Sequence, residues 1–564
     1  MKELYNKWIS SNLPSDLQNE LKTISADEQA IEDRFYQYVS FGTGGMRGIL
    51  GAGTNRINIF TIRRVAEGLA RYIESHGEEA KKRGVVVAYD TRHFSQQFAV
   101  ETAGVFGAHG IKAFIYKEPR PTPQLSFTVR ELKAFAGVVI TASHNPKQYN
   151  GFKVYGEDGA QLVPAGAKQI VDHMEKIEDL FNISALEIYE LESQGLVQWI
   201  LEDFDEKYQE KLFTLKENGM IDRMMNIVYT PLHGAGVVPV MEGLKRFGFH
   251  NVHLVKEQGV QDGAFPTLSF PNPEEPEALQ YAMELGEKVS ADLLLATDPD
   301  ADRLGVAVRI GDRYEQLTGN QLGALLLHYI IQTHLLNGTL PIDGVLIKTI
   351  VTAELGAKIA AHYNIETVNT LTGFKYIAEK IEEYEKSGER TFLFGYEESY
   401  GYLIKSFARD KDAVQMALKV SEMAAYYRAK GKTLLDALEE LYKEFGYHKE
   451  TLISRVFEGK KGREQMNASI DHIRGNIPAE IAGIGVSRVE DYLASVAILA
   501  DGHQEEIFLP KENMIKIVLE NEAWVAIRPS GTEPKCKYYV GVVGGSEAEA
   551  GQILENIVAG ISFN

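Results

Sequence analysis

The sequence predicts an α/β protein: three related α/β domains with mixed sheets, followed by a smaller C-terminal domain of α+β type. Short β-rich runs alternate with longer helical stretches through most of the chain. The same order of elements recurs three times, and each recurrence ends in an unusually polar loop. The C-terminal segment breaks that rhythm with closely spaced strand-like runs and one final helix.

In the first recurrence VVVAYD (85–90) precedes a helical stretch around 94–109, then KAFIYK (112–117), then AGVVIT (136–141), which enters Ser143-His144-Asn145-Pro146. In the second, NIVYT (226–230), a helix near 238–247, VHLVKE (252–257) and a helix after the Pro-rich FPNPEEPE lead to DLLLAT (292–297). That run enters Asp298-Pro299-Asp300-Ala301-Asp302-Arg303. The third passes from VLIKTI (345–350) through ETVNTL (366–371) to TFLFG (391–395) and Tyr396-Glu397-Glu398-Ser399-Tyr400-Gly401. Ligands of open α/β sheets gather beyond the carboxyl ends of strands, so the three loops are expected to face one cleft. At the C-terminus MIKIVLE, AWVAIR, PSGTEPK and CKYYVGVV precede an amphipathic helix near 546–560, with a functional turn at 528–537. Domains are expected at 1–200, 201–318, 319–445 and 446–564; 564 residues are too many for one core.

Hydrophobic residues make up 44% of the chain and charged residues 24%, as in ordinary globular proteins. The formal net charge of −20 argues against nucleic acid or an anionic membrane as the main partner. The single cysteine, Cys536, excludes an intrachain disulfide and a Cys-rich zinc site. MKELYNKWISSNLPSD has no apolar signal-peptide core, and no run of about 18 apolar residues predicts a membrane span. The expectation is a cytoplasmic protein, monomeric or weakly dimeric.

The loops carry the chemistry. Ser143 lies just past a strand end and is followed by Pro146, which points to a serine on an exposed turn; by itself this is also an ordinary capping serine. Asp298, Asp300 and Asp302 repel one another unless a cation sits among them, and hard oxygen ligands suit Mg²⁺ or Ca²⁺. An EF-hand is excluded, because its glycine and glutamate positions hold Arg303 and Arg309. Asp-x-Asp also resembles the nucleophile loop of haloacid-dehalogenase-type phosphatases, which leaves Asp298 as an alternative phosphoryl acceptor. Arg528-Pro529-Ser530-Gly531-Thr532 offers a guanidinium, two hydroxyls and close backbone approach to a phosphate. Gly42-Thr43-Gly44-Gly45-Met46-Arg47-Gly48 adds a glycine-rich turn with one cation. Glu397, Glu398 and Ser399 supply acceptors for sugar hydroxyls.

Together TASHNP (141–146), DPDADR (298–303), YEESYG (396–401) and RPSGTEPK (528–535) resemble, in order, the four hallmarks of the α-D-phosphohexomutase family, the phosphoglucomutases and phosphomannomutases. The resemblance runs from about residue 40 to the C-terminus. FGTGGMRG and SHNPKQYNGFKVYG look closest to the phosphoglucomutase/phosphopentomutase branch. It implies a heart-shaped, four-domain, Mg²⁺-dependent enzyme that interconverts glucose 1-phosphate and glucose 6-phosphate through a phosphoserine and glucose 1,6-bisphosphate. The same mechanism on mannose or pentose phosphates is the alternative, and a non-catalytic phosphosugar-binding protein is a third reading. Ser143 would carry the phosphate and complete a metal site of Asp298, Asp300 and Asp302. Arg47, His144 and Arg303 would hold that phosphate, and Lys153 would act as general acid and base, which requires a depressed pKa. Lys375, Glu397 and Ser399 would contact the sugar. Arg528, Ser530, Gly531, Thr532 and Lys537 would anchor the phosphate not being transferred. Pro299 and Ala301 stand where many members of the family have glycine.

Overall fold

VVVAY, buried at every position, forms the strand Val85–Tyr89; a run apolar on both faces is what a parallel strand covered on both sides requires. The computed structural model describes residues 1–42, 45–219, 221–457, 459–529 and 535–561. The chain divides into two compact units, one of Met1–Gly319 with Phe374–Thr433, the other of Asn320–Gly373 with Leu434–Asn564.

In the first unit Val85–Tyr89 lies between Ala113–Tyr116 and Ala136–Ile140, all parallel, with Val197–Ile200 parallel beyond Ala113–Tyr116. Beyond Ala136–Ile140 the sheet turns antiparallel through Tyr149–Tyr155 and Gly45–Ile49. The second block repeats the plan. Ile227–Thr230 lies between Val252–Leu254 and Leu293–Thr297, both parallel to it, and Leu304–Ile310 and Arg313–Leu317 follow antiparallel. From the third block, Thr391–Glu397 and Gly401–Leu403 form an antiparallel pair in this unit. Gly344–Thr349 and Glu366–Thr370 form a parallel pair in the other. The threefold order expected from sequence is present, with mixed sheets.

The second unit also holds an antiparallel sheet that runs from Tyr447–Val456 through Lys535–Gly544, Trp524–Pro529, Ile515–Leu519 and Ile484–Asp491 to Val496–Leu499 and Gln504–Glu506. The final helix, Glu547–Gly560, is capped by Ser546, which accepts the Glu549 N–H.

Three N-terminal helices, Lys2–Ser10, Ser15–Thr23 and Glu28–Phe35, were not read from the sequence. They are anchored by Trp8, wholly buried with its ring 5.4–5.7 Å from those of Phe35, Phe60 and Phe181. No helix among the described residues is long and apolar enough to cross a membrane.

Candidate active site

All three polar loops of the first unit are hairpin connections. Each leaves the carboxyl end of its block's third strand and returns as the antiparallel fourth. Val139 pairs with Lys153 around the serine loop, Thr297 with Leu304 around the acidic loop, and Glu397 with Gly401 around the third. Each loop contains a non-glycine residue in the left-handed region: Ser143 (φ 52°), Ala301 (φ 50°) and Tyr400 (φ 64°).

The loops meet. Tyr400 O accepts the Leu304 N–H at 3.2 Å, and the acidic loop is also tied to the start of the helix Thr122–Leu132, Asp300 O accepting the Thr122 N–H at 2.9 Å. Ser143 Oγ donates to Asp298 Oδ2 at 2.8 Å and lies 3.2 Å from His144 Nδ1. Ser143 is only 2% exposed. The exposed turn expected for it is therefore corrected: the serine is enclosed because the acidic loop closes over it.

Asp298, Asp300 and Asp302 are buried, and one oxygen from each lies within 4.8 Å of the others. Asp298 Oδ1 accepts the N–H groups of Asp302 (3.1 Å) and Arg303 (3.0 Å), which folds the loop around its own first carboxylate. Burial and the like charges of Asp302 and Asp300 push Asp298 well above the usual carboxylate range. Burial also raises Asp302, but Lys411, Lys153 and Arg303 outweigh it and hold that carboxyl below the range. Asp300 Oδ1 and Asp302 Oδ1 are buried with no hydrogen-bond partner among the described residues. Buried carboxylate oxygens left unsatisfied are costly, and three hard oxygen donors this close fit a metal ion. The triad can hold one.

Lys153, on Tyr149–Tyr155, sends Nζ to Asp300 Oδ2 at 2.8 Å and lies 3.5 Å from Asp302 Oδ2. Burial lowers its pKa, but Asp300 and Asp302 overcome that and leave it raised. The depressed pKa expected for it is absent because two carboxylates hold the ammonium. Arg47 pairs with Gly151 across the neighbouring strand and donates from Nη1 to Asn145 Oδ1 at 2.7 Å. His144 is held well below the usual histidine value by burial and by the Arg303 and Arg47 guanidiniums, so its imidazole is neutral.

Two further charged residues reach the site. Lys411 Nζ lies 3.1 Å from Asp302 Oδ2 and 3.0 Å from Asp410 Oδ1. Glu274, in the Pro-rich run before the helix Gln280–Val289, accepts from Arg303 Nη1. Neither belongs to the four motifs of the sequence. Their signal is faint: Lys411 sits in the charged run ahead of Asp412, which caps the helix Ala413–Ala429, and Glu274 is one of several acids in FPNPEEPE.

Lys375, in the first turn of Phe374–Ser387, and Glu397, at the end of Thr391–Glu397, are both buried in this unit. Ser399 is the middle residue of the three-residue connection to Gly401–Leu403. In the second unit Arg528 pairs directly with Lys537 across neighbouring strands, so both side chains leave one face of the sheet. Arg528 Nε donates to Glu512 Oε1 at 2.5 Å. Ser530, Gly531 and Thr532 lie outside the described residues.

A strained serine hydrogen-bonded to a buried carboxylate triad and ringed by cations defines a site shaped for a phosphoryl group and a metal ion. Comparison with known proteins agrees. Models of the phosphoglucomutase/phosphomannomutase family match in chain order: α/β/α domain I over 38–181, domain II over 206–311, domain III over 318–445 and the C-terminal domain over 479–560. A phosphoglucomutase of Staphylococcus saprophyticus is 37% identical over 542 residues, 96% of each chain. One of Staphylococcus aureus is 38% identical over 549 residues, 96% of this chain and 95% of the relative. Among solved structures, a phosphoglucomutase/phosphomannomutase family protein of Burkholderia thailandensis has a TM-score of 0.67 at 17% identity, over 92% of this chain and 96% of its own. The open form of Paramecium parafusin, a phosphoglucomutase, has a TM-score of 0.66 at 17% identity, over 93% and 95%. The chain belongs to the phosphoglucomutase/phosphomannomutase family.

Proposed function

We propose that this protein is a Mg²⁺-dependent phosphoglucomutase that carries the transferred phosphoryl group on Ser143. The observation that carries the reading is the 2.8 Å hydrogen bond from Ser143 Oγ to Asp298 inside the buried triad. It ties a nucleophilic hydroxyl to the carboxylates that would hold the cation. Relatives named phosphoglucomutase, at 37–38% identity over 96% of this chain, support glucose as the sugar.

Phosphoryl transfer is mostly a matter of positioning and charge neutralisation. Mg²⁺ bound by Asp298, Asp300 and Asp302 would supply Lewis-acid neutralisation of the phosphate on Ser143. Arg303, Arg47 and neutral His144, which can donate one hydrogen bond, complete its surroundings. A cation that neutralised Asp300 and Asp302 would remove the two charges that raise Lys153 and leave burial to favour release of its proton, the condition for an acid–base role. A sugar hydroxyl, relieved of its proton by Lys153, takes the phosphoryl group from Ser143. The resulting bisphosphate turns over and returns its other phosphoryl group to the serine. Lys375, Glu397 and Ser399 bind sugar hydroxyls, and Arg528, Lys537 and the 530–532 loop anchor the phosphate at rest.

The Asp-nucleophile alternative asks Asp298 to attack phosphorus. Both of its oxygens already accept hydrogen bonds, Oδ2 from Ser143 and Oδ1 from two backbone N–H groups, which favours the serine. Comparing kcat/KM for glucose 1-phosphate, mannose 1-phosphate and ribose 1-phosphate tests the sugar assignment. Glucose 1-phosphate is expected to lead, and a clear preference for either of the others would reassign the substrate.

A further inference from the structure

Ser143 occupies a left-handed conformation that costs a non-glycine residue energy, so something must hold it there. Directly after the central strand Val85–Tyr89 come two buried residues the mechanism does not use, Asp90 and Arg92. Arg92 Nη2 donates to the carbonyl of Ser143 at 2.5 Å and to that of Asn145. Its Nη1 donates to the carbonyls of Pro146 (2.9 Å) and Tyr149 (3.1 Å). One planar guanidinium thus gathers four carbonyls of the serine loop, which a lysine ammonium with three donors cannot do. Its outer face lies against the Phe265 ring, 5.0 Å from the centroid.

Asp90 fixes Arg92 in turn. Its Oδ2 lies 3.2 Å from Arg92 Nε, and its Oδ1 accepts the Arg92 N–H at 3.0 Å and Ser95 Oγ–H at 2.8 Å. Asp90 Oδ2 also accepts from Thr141 Oγ1 at 2.7 Å, and Thr141 Oγ1 accepts the Ser143 N–H at 2.8 Å. The serine's peptide is therefore gripped from both sides, its N–H through Thr141 and its carbonyl by Arg92.

We propose that Asp90, Arg92 and Thr141 are positioning residues for phosphoryl transfer: they lock the Ser143 backbone so that Oγ meets the triad, and thereby set the transfer rate rather than sugar affinity. This rests on the phosphoserine reading. In the step concerned a sugar O–P bond breaks as the Ser143 Oγ–P bond forms. Lys153, the acid–base group of the proposed function, takes up the serine proton and delivers one to the sugar oxygen as it leaves.

The test follows single-turnover phosphorylation of the dephosphorylated protein by glucose 1,6-bisphosphate, read as intact mass. Steady-state kcat, KM for glucose 1-phosphate and thermal unfolding are measured alongside. Thr141→Val is expected to slow both phosphorylation and kcat by about 10- to 100-fold with KM within about threefold. Thr141→Ser, which keeps the hydroxyl, recovers most of the loss. Arg92→Lys behaves as Thr141→Val does; should it fail to fold, the two Thr141 variants decide. Thr141→Val transferring within about twofold of wild type, or losing only melting temperature or KM, overturns the proposal. Turnover by the wild-type protein with no phosphate on Ser143 overturns the phosphoserine reading with it, and that failure is recognised because it appears before any substitution.

Discussion

Left-handed backbone at Ser143, Ala301 and Tyr400 costs about 1–2 kcal/mol at each residue, and all three fall in the loops that converge on the site. At Ser143 the conformation brings a hydroxyl onto Asp298; at Ala301 it turns the chain between two metal-site carboxylates. Ala301 stands where many relatives were expected to have glycine, and its φ of 50° is the conformation glycine adopts without strain. Away from the site, His109 Nε2 lies 2.8 Å from Glu67 Oε2 and its Nδ1 3.1 Å from Glu74 Oε1. The Glu67 hydrogen bond raises its pKa above the usual histidine value, burial opposes, and Glu74 adds to the rise. A raised folded pKa adds stability that is fully present below the unfolded value, about 6.5, and is lost as pH rises through the folded one. His109→Gln is therefore expected to flatten the fall in melting temperature with rising pH above that range. An unchanged pH slope in the variant would refute the assignment.

At the scale of elements, the hairpin Ala136–Ile140 to Tyr149–Tyr155 delivers both Ser143 and Lys153, and its close packing is exacting. A methyl group on Gly151 would lie 2.5 Å from Met46 O and 2.7 Å from Thr141 O, backbone atoms that cannot step aside. Gly151→Ala is expected to destabilise the protein by about 1–3 kcal/mol and to lower activity, since the strand that moves carries Lys153. Equilibrium unfolding measures the first effect and kcat the second; wild-type stability would refute the packing argument. Strands of the parallel cores were legible because VVVAY and LLLAT are apolar on both faces and bounded by polar loops. Tyr149–Tyr155 was not, because its sequence YNGFKVY mixes asparagine, glycine and lysine that are buried by hydrogen bonds to His93 and Ser95, by close backbone packing and by the Asp300 ion pair instead of by hydrophobicity. The candidate residues were legible as motifs. Glu274 and Lys411 were not, since they reach the site through the meeting of blocks and no spacing in the chain announces it. The raised pKa of Lys153 escaped for the same reason: its carboxylate partners are about 150 positions away in the sequence, and burial alone predicts the opposite sign.

For the molecule as a whole, a net charge of −20 is compatible with an anionic substrate because the site concentrates cations where the phosphate must sit. Lys153, Arg303 and Lys411 lie against the triad, and Arg47 reaches the serine loop through Asn145. Those three carboxylates are brought together only in the folded chain, so Mg²⁺ held there is expected to raise the melting temperature in a concentration-dependent way. A chelator should reverse the shift and abolish turnover. Asp300→Asn should lose the shift, and a shift of wild-type size in that variant would place the metal elsewhere. Incubation with labelled glucose 1,6-bisphosphate decides whether Ser143 is a phosphoserine relay. Label is expected to be retained on Ser143, chased into sugar phosphate by unlabelled glucose 1-phosphate, and absent from Ser143→Ala, which also loses mutase activity. Label released to water without a Ser143 adduct, or full mutase activity in Ser143→Ala, would contradict it.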